Sequence, residues 1–478
     1  MHKVFFSLAF ICQAFLAAGA LAQAQRVGPD DGAKDNVQDM VAAHLKTCPA
    51  RYARIIKRVD EADTADASFY SVPDYPWIRG NRFLASYVGH FENELELTTW
   101  LSQLRDNEGY ARNIELRNAG LSDAERRETL DNLRVCAVWL SIDRVFNPDT
   151  EEAFIDATLE GARVKAADHA PISARQQKKI AQDIDRRFNS QPEKTPVTEW
   201  RVARPEGMMS PSEVFALYRD LPRDALGRIG MFHTAWNALA HHYAPVWLIH
   251  TQTQADVPGA PTIDAAGNTR INRETPTVYW HITYTRVESR AVPQINYVVF
   301  FGDDAGQPEN GQVWRITLNQ QGQPVVYESM RLDGTEHLWF PATAMRVRED
   351  VDPTVPQSVA GTGIAATRML SDTHQVYRVA TQATYEAADY RRYTLAPYDD
   401  LLTLETGPNR SASLFDAKGR LKGAKRTGQR NPPMRQLGSH SLAPGEPFFF
   451  DDPNLFDANF ALLEPASDAN MTDTSASR

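Results

Sequence analysis

The sequence predicts an α+β protein, an N-terminal helical domain followed by a mainly antiparallel β domain that is sandwich or barrel-like. Three observations carry this. From about residue 36 to Tyr243, apolar residues recur at three-to-four spacing, the period of helices with one buried face. After Pro245 the chain turns to short runs rich in β-branched and aromatic residues, separated by turn signals. At 478 residues it also exceeds what one hydrophobic core usually serves, so two domains are expected, 25–244 and 245–464.

In the first half, Val37, Met40, Val41 and Leu45 begin the pattern, and Tyr52, Ile55, Ile56 and Val59 continue it beyond Pro49. Phe91, Leu95, Leu97, Trp100, Leu101 and Leu104 form a second apolar stripe. Ser122 followed by Glu125 is a capping box that opens a third helix, which carries Cys136. Pro148 to Thr150 starts another, 173–188 reads as a charged surface helix, and Pro211 opens a short one. A last helix is expected from about Asp224 to His242, ending before Pro245 because the residue preceding proline disfavours the helical region. In the second half, 246–253, 277–287, 295–301, 313–318, 324–330 and 336–340 read as strands, with later ones at 375–384, 393–405 and 411–415. The clearest hairpin joins Val313–Leu318 to Val325–Met330 through Asn319-Gln320-Gln321-Gly322.

Residues 1–24 have the layout of a secretory signal peptide: His2 and Lys3, an apolar run to Leu21, then small residues around Ala22 and Ala24. Ser7, Gln13 and Gly19 interrupt the run, which argues against a membrane anchor. Periplasmic or secreted localisation is therefore expected. Removal of the leader takes Cys12 with it and leaves Cys48 and Cys136, an even pair bound for an oxidising compartment, so one disulfide is expected. The formal net charge of −10 and the lack of a basic stripe argue against a nucleic-acid partner. No second long apolar run follows the leader, so no membrane span is expected after cleavage. The small, polar, acidic stretch 465–478 reads as a disordered tail.

Histidine is the one functional group that clusters. His233, His241, His242, His250 and His281 fall within fifty residues around the change of texture, and His337 follows. Neutral imidazole is the commonest transition-metal ligand, so His233, His241, His281 and His337 are the candidate ligand or metal site, with a transition metal as the candidate cofactor. On one helix His233 and His241 stand roughly 12 Å apart along the axis, so only one of them could join His281 and His337. Strand parity places His281 beside Tyr279, Thr283 and Thr285, opposite Val278, Trp280, Ile282 and Tyr284. His337 shares a face with Trp339, which makes Tyr279 and Trp339 the candidate pocket aromatics. The sequence contains no HExxH, G-x-S-x-G, P-loop or G-x-G-x-x-G motif. Asp303-Asp304 and Asp451-Asp452 read as turns.

The stretch 294–301, with Trp314-Arg315-Ile316-Thr317-Leu318, Tyr327-Glu328-Ser329, His337-Leu338-Trp339-Phe340-Pro341 and upstream His242-Tyr243-Ala244-Pro245-Val246-Trp247, resembles a family of exported proteobacterial proteins with no assigned activity. The resemblance covers about residues 242–341. It implies export from a Gram-negative cell. Asp333-Gly334-Thr335 stands near the place of that family's Cys-Gly-Cys element, so thiol chemistry is not carried over. Two functions follow as expectations: an exported ligand- or partner-binding or structural protein with a groove at the domain junction, or a metal-dependent hydrolase with a His-lined site there. The identity of the ligand or partner is not legible.

Overall fold

The computed structural model describes residues 32–145, 149–164, 174–189, 194–204, 209–230, 235–287, 290–334, 336–342, 345–348, 364–381, 389–423, 434–439 and 449–462, with only the backbone of 32–45. The expected leader (1–24), His233 and the expected tail (465–478) lie outside the described residues. The fold is α+β: N-terminal helices and a large, mostly antiparallel sheet that curves nearly into a barrel.

Helix α1 (Gly32–Glu61) runs on through Pro49, and α2 (Arg82–Ala85) is a single turn capped by the Asn81 side chain. Asn93 caps α3 (Glu94–Asn118) by accepting the Glu96 N–H, which satisfies one of the orphan donors of the first turn. The Ser122–Glu125 box opens α4 (Asp123–Val145) as expected, Ser122 N–H lying 2.9 Å from Glu125 Oε2. α5 (Glu151–Val164), α6 (Ala174–Asn189), α7 (Pro211–Asp220) and α8 (Ala235–His242) complete the helices used here. Cys48 on α1 and Cys136 on α4 meet in disulfide geometry, both fully buried, with Cα atoms 5.4 Å apart.

Ten strands make the main sheet. They are β1 (Val197–Val202), β2 (Val246–His250), β3 (Thr277–Val287), β4 (Arg290–Gly302), β5 (Pro308–Leu318), β6 (Pro324–Arg331), β7 (His337–Pro341), β8 (Ala365–Met369), β9 (Val376–Thr381) and β10 (Asp389–Pro397). Their spatial order is β7-β6-β5-β4-β3-β10-β1-β2-β8-β9. Strands β3 to β7 form a continuous antiparallel meander, while β10 lies parallel to both β3 and β1, and β8 parallel to β2. The hairpin between β5 and β6 turns at Gly322, whose φ of +83° suits a residue without Cβ. The two edges of the sheet meet where Gln375, just before β9, donates to Glu336, just before β7, at 3.1 Å. Arg187 of α6 closes the same seam from outside with an ion pair to Glu336 at 2.7 Å.

Two local expectations give way. Residues 197–202 lie in the stretch read as helical, yet they form β1 near the middle of the sheet. The alternation of buried Trp200 and Val202 with half-buried Arg201 is a strand pattern too short to interrupt the helical texture around it. The helix expected from Asp224 begins only at Ala235 among the described residues. Asp224 instead accepts the N–H groups of Leu226 and Arg228, and Gly227 takes a left-handed φ of +77°. An aspartate that hydrogen-bonds its own following backbone favours a turn over a helix.

The core is continuous across residue 245. Trp100, Leu104 and Leu140 of the helical layer belong to one apolar cluster with Trp236 of α8 and with Tyr297, Trp314 and Ile316 of the sheet. The other face of the meander is covered by chain beyond β10: Tyr279, Val298, Val313 and Met330 pack with Tyr398, Leu414, Phe415 and Leu437. Both faces of the sheet are therefore buried, and the C-terminal segment is a structural layer.

Candidate functional site

The sequence-predicted residues scatter. His281 on β3 and His337 on β7 share one face of the sheet, but four strands apart, roughly 19 Å along it at the usual strand spacing. His241 on α8 lies against the opposite face, where Tyr297 donates to the neighbouring Ala240 carbonyl at 2.8 Å. The sheet itself stands between His241 and the other two. Among the described residues no group of three or more His, Cys, Asp or Glu side chains is arranged to hold a metal ion.

Each residue has its own local role. His241 is buried and donates from Nδ1 to the Asn237 carbonyl at 2.8 Å, one turn back along its helix. His337 lies 2.9 Å from Glu328, which Arg315 also grips, all three side chains being at least nine-tenths buried. Burial alone would favour a protonated Glu328, but Arg315 and His337 outweigh it and hold its carboxyl below the usual range. Burial keeps His337 neutral, so Nε2 carries the proton donated to Glu328. Trp339 is core, edge-on to Phe456 and Phe460 at 5.5 and 5.1 Å. Tyr279 is also core, edge-on to Phe300. Neither lines the cavities described next.

At the junction of the helical layer with the C-terminal segment lies a cavity of about 760 Å3. It is lined by residues of 56–79, by Gly161 of α5, by the buried face of α3, and by Ala417, Lys418, Arg435 and Ser439. Its inner wall is a set of buried charges. All four carboxylate oxygens of Glu108 and Glu115 are answered by arginine: Arg79 Nε reaches Glu108 at 2.6 Å and Arg79 Nη2 reaches Glu115 at 2.8 Å. Arg112 reaches the remaining oxygens at 2.7 and 2.9 Å. Burial opposes the charge on Arg79, yet the two glutamates more than compensate and raise its pKa. Asp66 stands beside the set, accepting from Ser68 N–H at 2.9 Å and Gln436 at 3.1 Å, and burial pushes its pKa up.

Phe69 borders this cavity and also a second, inner chamber of about 80 Å3. Here one predicted residue takes its place: His281 lines the chamber, its ring 5.7 Å from that of Tyr398, and burial lowers its pKa so that it is a neutral imidazole. The chamber's other polar groups include Asn81, Thr283, Arg228 and Asp451. The Arg228 side chain is only 4% exposed.

The sequence reading missed the charged wall and Arg228. A signal for the wall existed. The stripe Leu97, Trp100, Leu101, Leu104 continues at the same spacing into Glu108, Arg112 and Glu115, which places charges of both signs on a buried helix face. No comparable signal marked Arg228 or Phe69, because the chamber is lined by segments scattered along the chain from Ser68 to Asp451. No protein-family model, no curated protein and no solved structure matches the chain.

Proposed function

We propose that the chain is an exported binding protein whose junction cavity takes a small organic ligand. The observation that carries this reading is the cavity itself. Its volume of about 760 Å3 falls in the range of small-molecule sites, and its walls come from parts of the chain that only folding brings together. A ligand site must be preformed to bind without a large ordering cost. The charge set behind Arg79 supports that, because its two arginines and two glutamates are paired with one another and hold the wall together. Export is supported by the leader pattern, by the cysteine pair and by the resemblance to exported proteobacterial proteins. No helix among the described residues is long and apolar enough to cross a membrane.

The test is a thermal-shift screen of small metabolites on the purified protein beside a Ser71→Trp variant, which places a large ring at the cavity's exposed rim. At least one compound should raise the unfolding midpoint of the parent and not of the variant. A screen in which every stabilising compound acts equally on both would defeat the reading.

A further inference from the structure

We propose that the inner chamber holds the carboxylate group of a small organic acid whose body lies in the outer cavity. This rests on the junction being a ligand site and names the class of ligand.

Arg228 is the first reason. Its nearest carboxylate oxygen, Asp224 Oδ2, is 4.0 Å from Nε and beyond hydrogen-bond distance, while Oδ1 of the same group accepts two backbone N–H groups of its own turn. Among the described residues the guanidinium has no hydrogen-bond acceptor, and Nε is a buried donor without a partner. The rings of Tyr284 and Phe83 flank it, at 5.2 and 5.9 Å, and the Asp106 carboxylate feels its charge without a hydrogen bond to it. A buried charge so placed is costly unless an anion completes it.

The second reason is the strand edge. Strand β10 pairs with β3 only as far as Trp280, so the far half of β3 has no neighbour on that side among the described residues. Arg286 N–H turns out from this edge to the Pro453 carbonyl at 3.3 Å. Alternation along a strand sends the N–H groups of Tyr284 and Ile282 the same way, and both residues line the chamber. Asn81 adds its side-chain amide N–H groups, since its Oδ1 accepts from Leu84 N–H at 2.8 Å. The one carboxylate in the lining, Asp451, is held by Arg82 at 2.6 Å.

Donors and one guanidinium without a hydrogen-bonded carboxylate among the described residues therefore border a space that fits a carboxylate. At about 80 Å3 the chamber is small beside the outer cavity of about 760 Å3, so it suits the head group of an acid better than its body. The body would extend past Phe69, which borders both spaces.

The experiment is calorimetric titration of the purified protein with hexanoate, and with hexanamide as its neutral counterpart. Hexanoate should bind at least about tenfold more tightly than hexanamide, and Arg228→Gln should weaken hexanoate about 10- to 100-fold. Arg228→Lys, which keeps the charge and loses the fork, should retain part of the preference. Equal binding of acid and amide, binding of neither, or an unchanged preference in Arg228→Gln would each overturn the proposal. The parent's acid-to-amide ratio decides even if Arg228→Gln does not fold. Ser71→Trp separates the two levels of the reading: acid and amide binding alike but lost in that variant sinks only the carboxylate, whereas binding retained in it sinks the junction site as well.

Discussion

Arg79 and Arg228 are both buried arginines at the same junction, but their surroundings are opposite. Arg79 is one of two arginines facing two glutamates, and every carboxylate oxygen has a guanidinium nitrogen within 2.9 Å. Arg228 has one carboxylate at 4.0 Å, no hydrogen-bond acceptor among the described residues, and a chamber in front of it. The difference separates charges that a fold uses to hold itself from charges it keeps for something else. A matched buried set gains little over well-packed apolar residues, yet it is strongly destabilised by the loss of one member. On the proposal that Arg228 receives a carboxylate, its removal should behave the other way, costing the fold little and weakening the ligand.

The sharpest way to break that comparison is Arg79→Met, with the largest effect expected. It strands Glu108 and Glu115, each no more than 4% exposed, without half of their partners. We expect a loss of about 3–5 kcal/mol in urea unfolding at neutral pH. A loss under about 1 kcal/mol would mean that solvent from the outer cavity reaches the set and screens it.

A second, smaller effect asks whether the helical layer depends on charge or on covalent linkage. The cysteine pair ties α1 to α4 across 88 residues, whereas the charge set ties α3 to the segment before α2. Cys48→Ser with Cys136→Ser should cost about 2–4 kcal/mol, chiefly by freeing the unfolded chain. Binding at the junction should survive it at temperatures where the variant is folded. Loss of binding in the folded variant would show that the cross-link shapes the cavity.

Asp256 sharpens the same contrast through pH. Burial would raise its pKa, but His374 and the N–H groups of Asp372, Gln252 and Thr253 hold the carboxylate and lower it to about 2. A depressed carboxyl contributes stability that is fully present above its unfolded value near 4 and is lost as pH falls through about 2. Asp256→Asn should therefore cost about 2 kcal/mol at pH 5, and the gap to the parent should close by about pH 2. A gap that stayed constant over that window would show that the contacts hold either protonation state equally.

The sequence carried the layers of this molecule better than its site, and the reasons are physical. Periodicity reports which face of a local element is buried, so Val278, Ile282 and Tyr284 were separable from Tyr279, His281 and Thr283 before any strand was paired. Two cysteines beyond the expected leader left one pairing to expect, and Cys48 meets Cys136. Convergence is a different property. His281 and His337 looked equivalent by parity, but register and strand order put three strands between them. β1 was hidden because six residues cannot outweigh two hundred of helical texture. The buried charges of α3 were visible as a stripe that turned from apolar to ionic at Glu108, a pattern that ordinarily signals a helix leaving the core. Arg228 gave no sign, because nothing local distinguishes an arginine with a partner from one without.

Stability at Arg228 is the smallest effect and the most discriminating one. Arg228→Gln removes a guanidinium whose charge meets two aromatic rings beyond 5 Å, a 4.0 Å ion pair to a partly exposed aspartate, and Asp106 without a hydrogen bond. Such contacts contribute about 1 kcal/mol or less, and the burial of an unanswered guanidinium works against even that. Urea unfolding of this variant should therefore fall within about 1 kcal/mol of the parent, while Arg79→Met falls far below it. A third curve completes the test: with hexanoate present, the parent should rise above Arg228→Gln, since a ligand that binds only the folded state adds its binding free energy to stability. If Arg228→Gln instead unfolds as early as Arg79→Met, then Arg228 belongs to the fold in the same sense as Arg79, and the distinction between the two arginines fails.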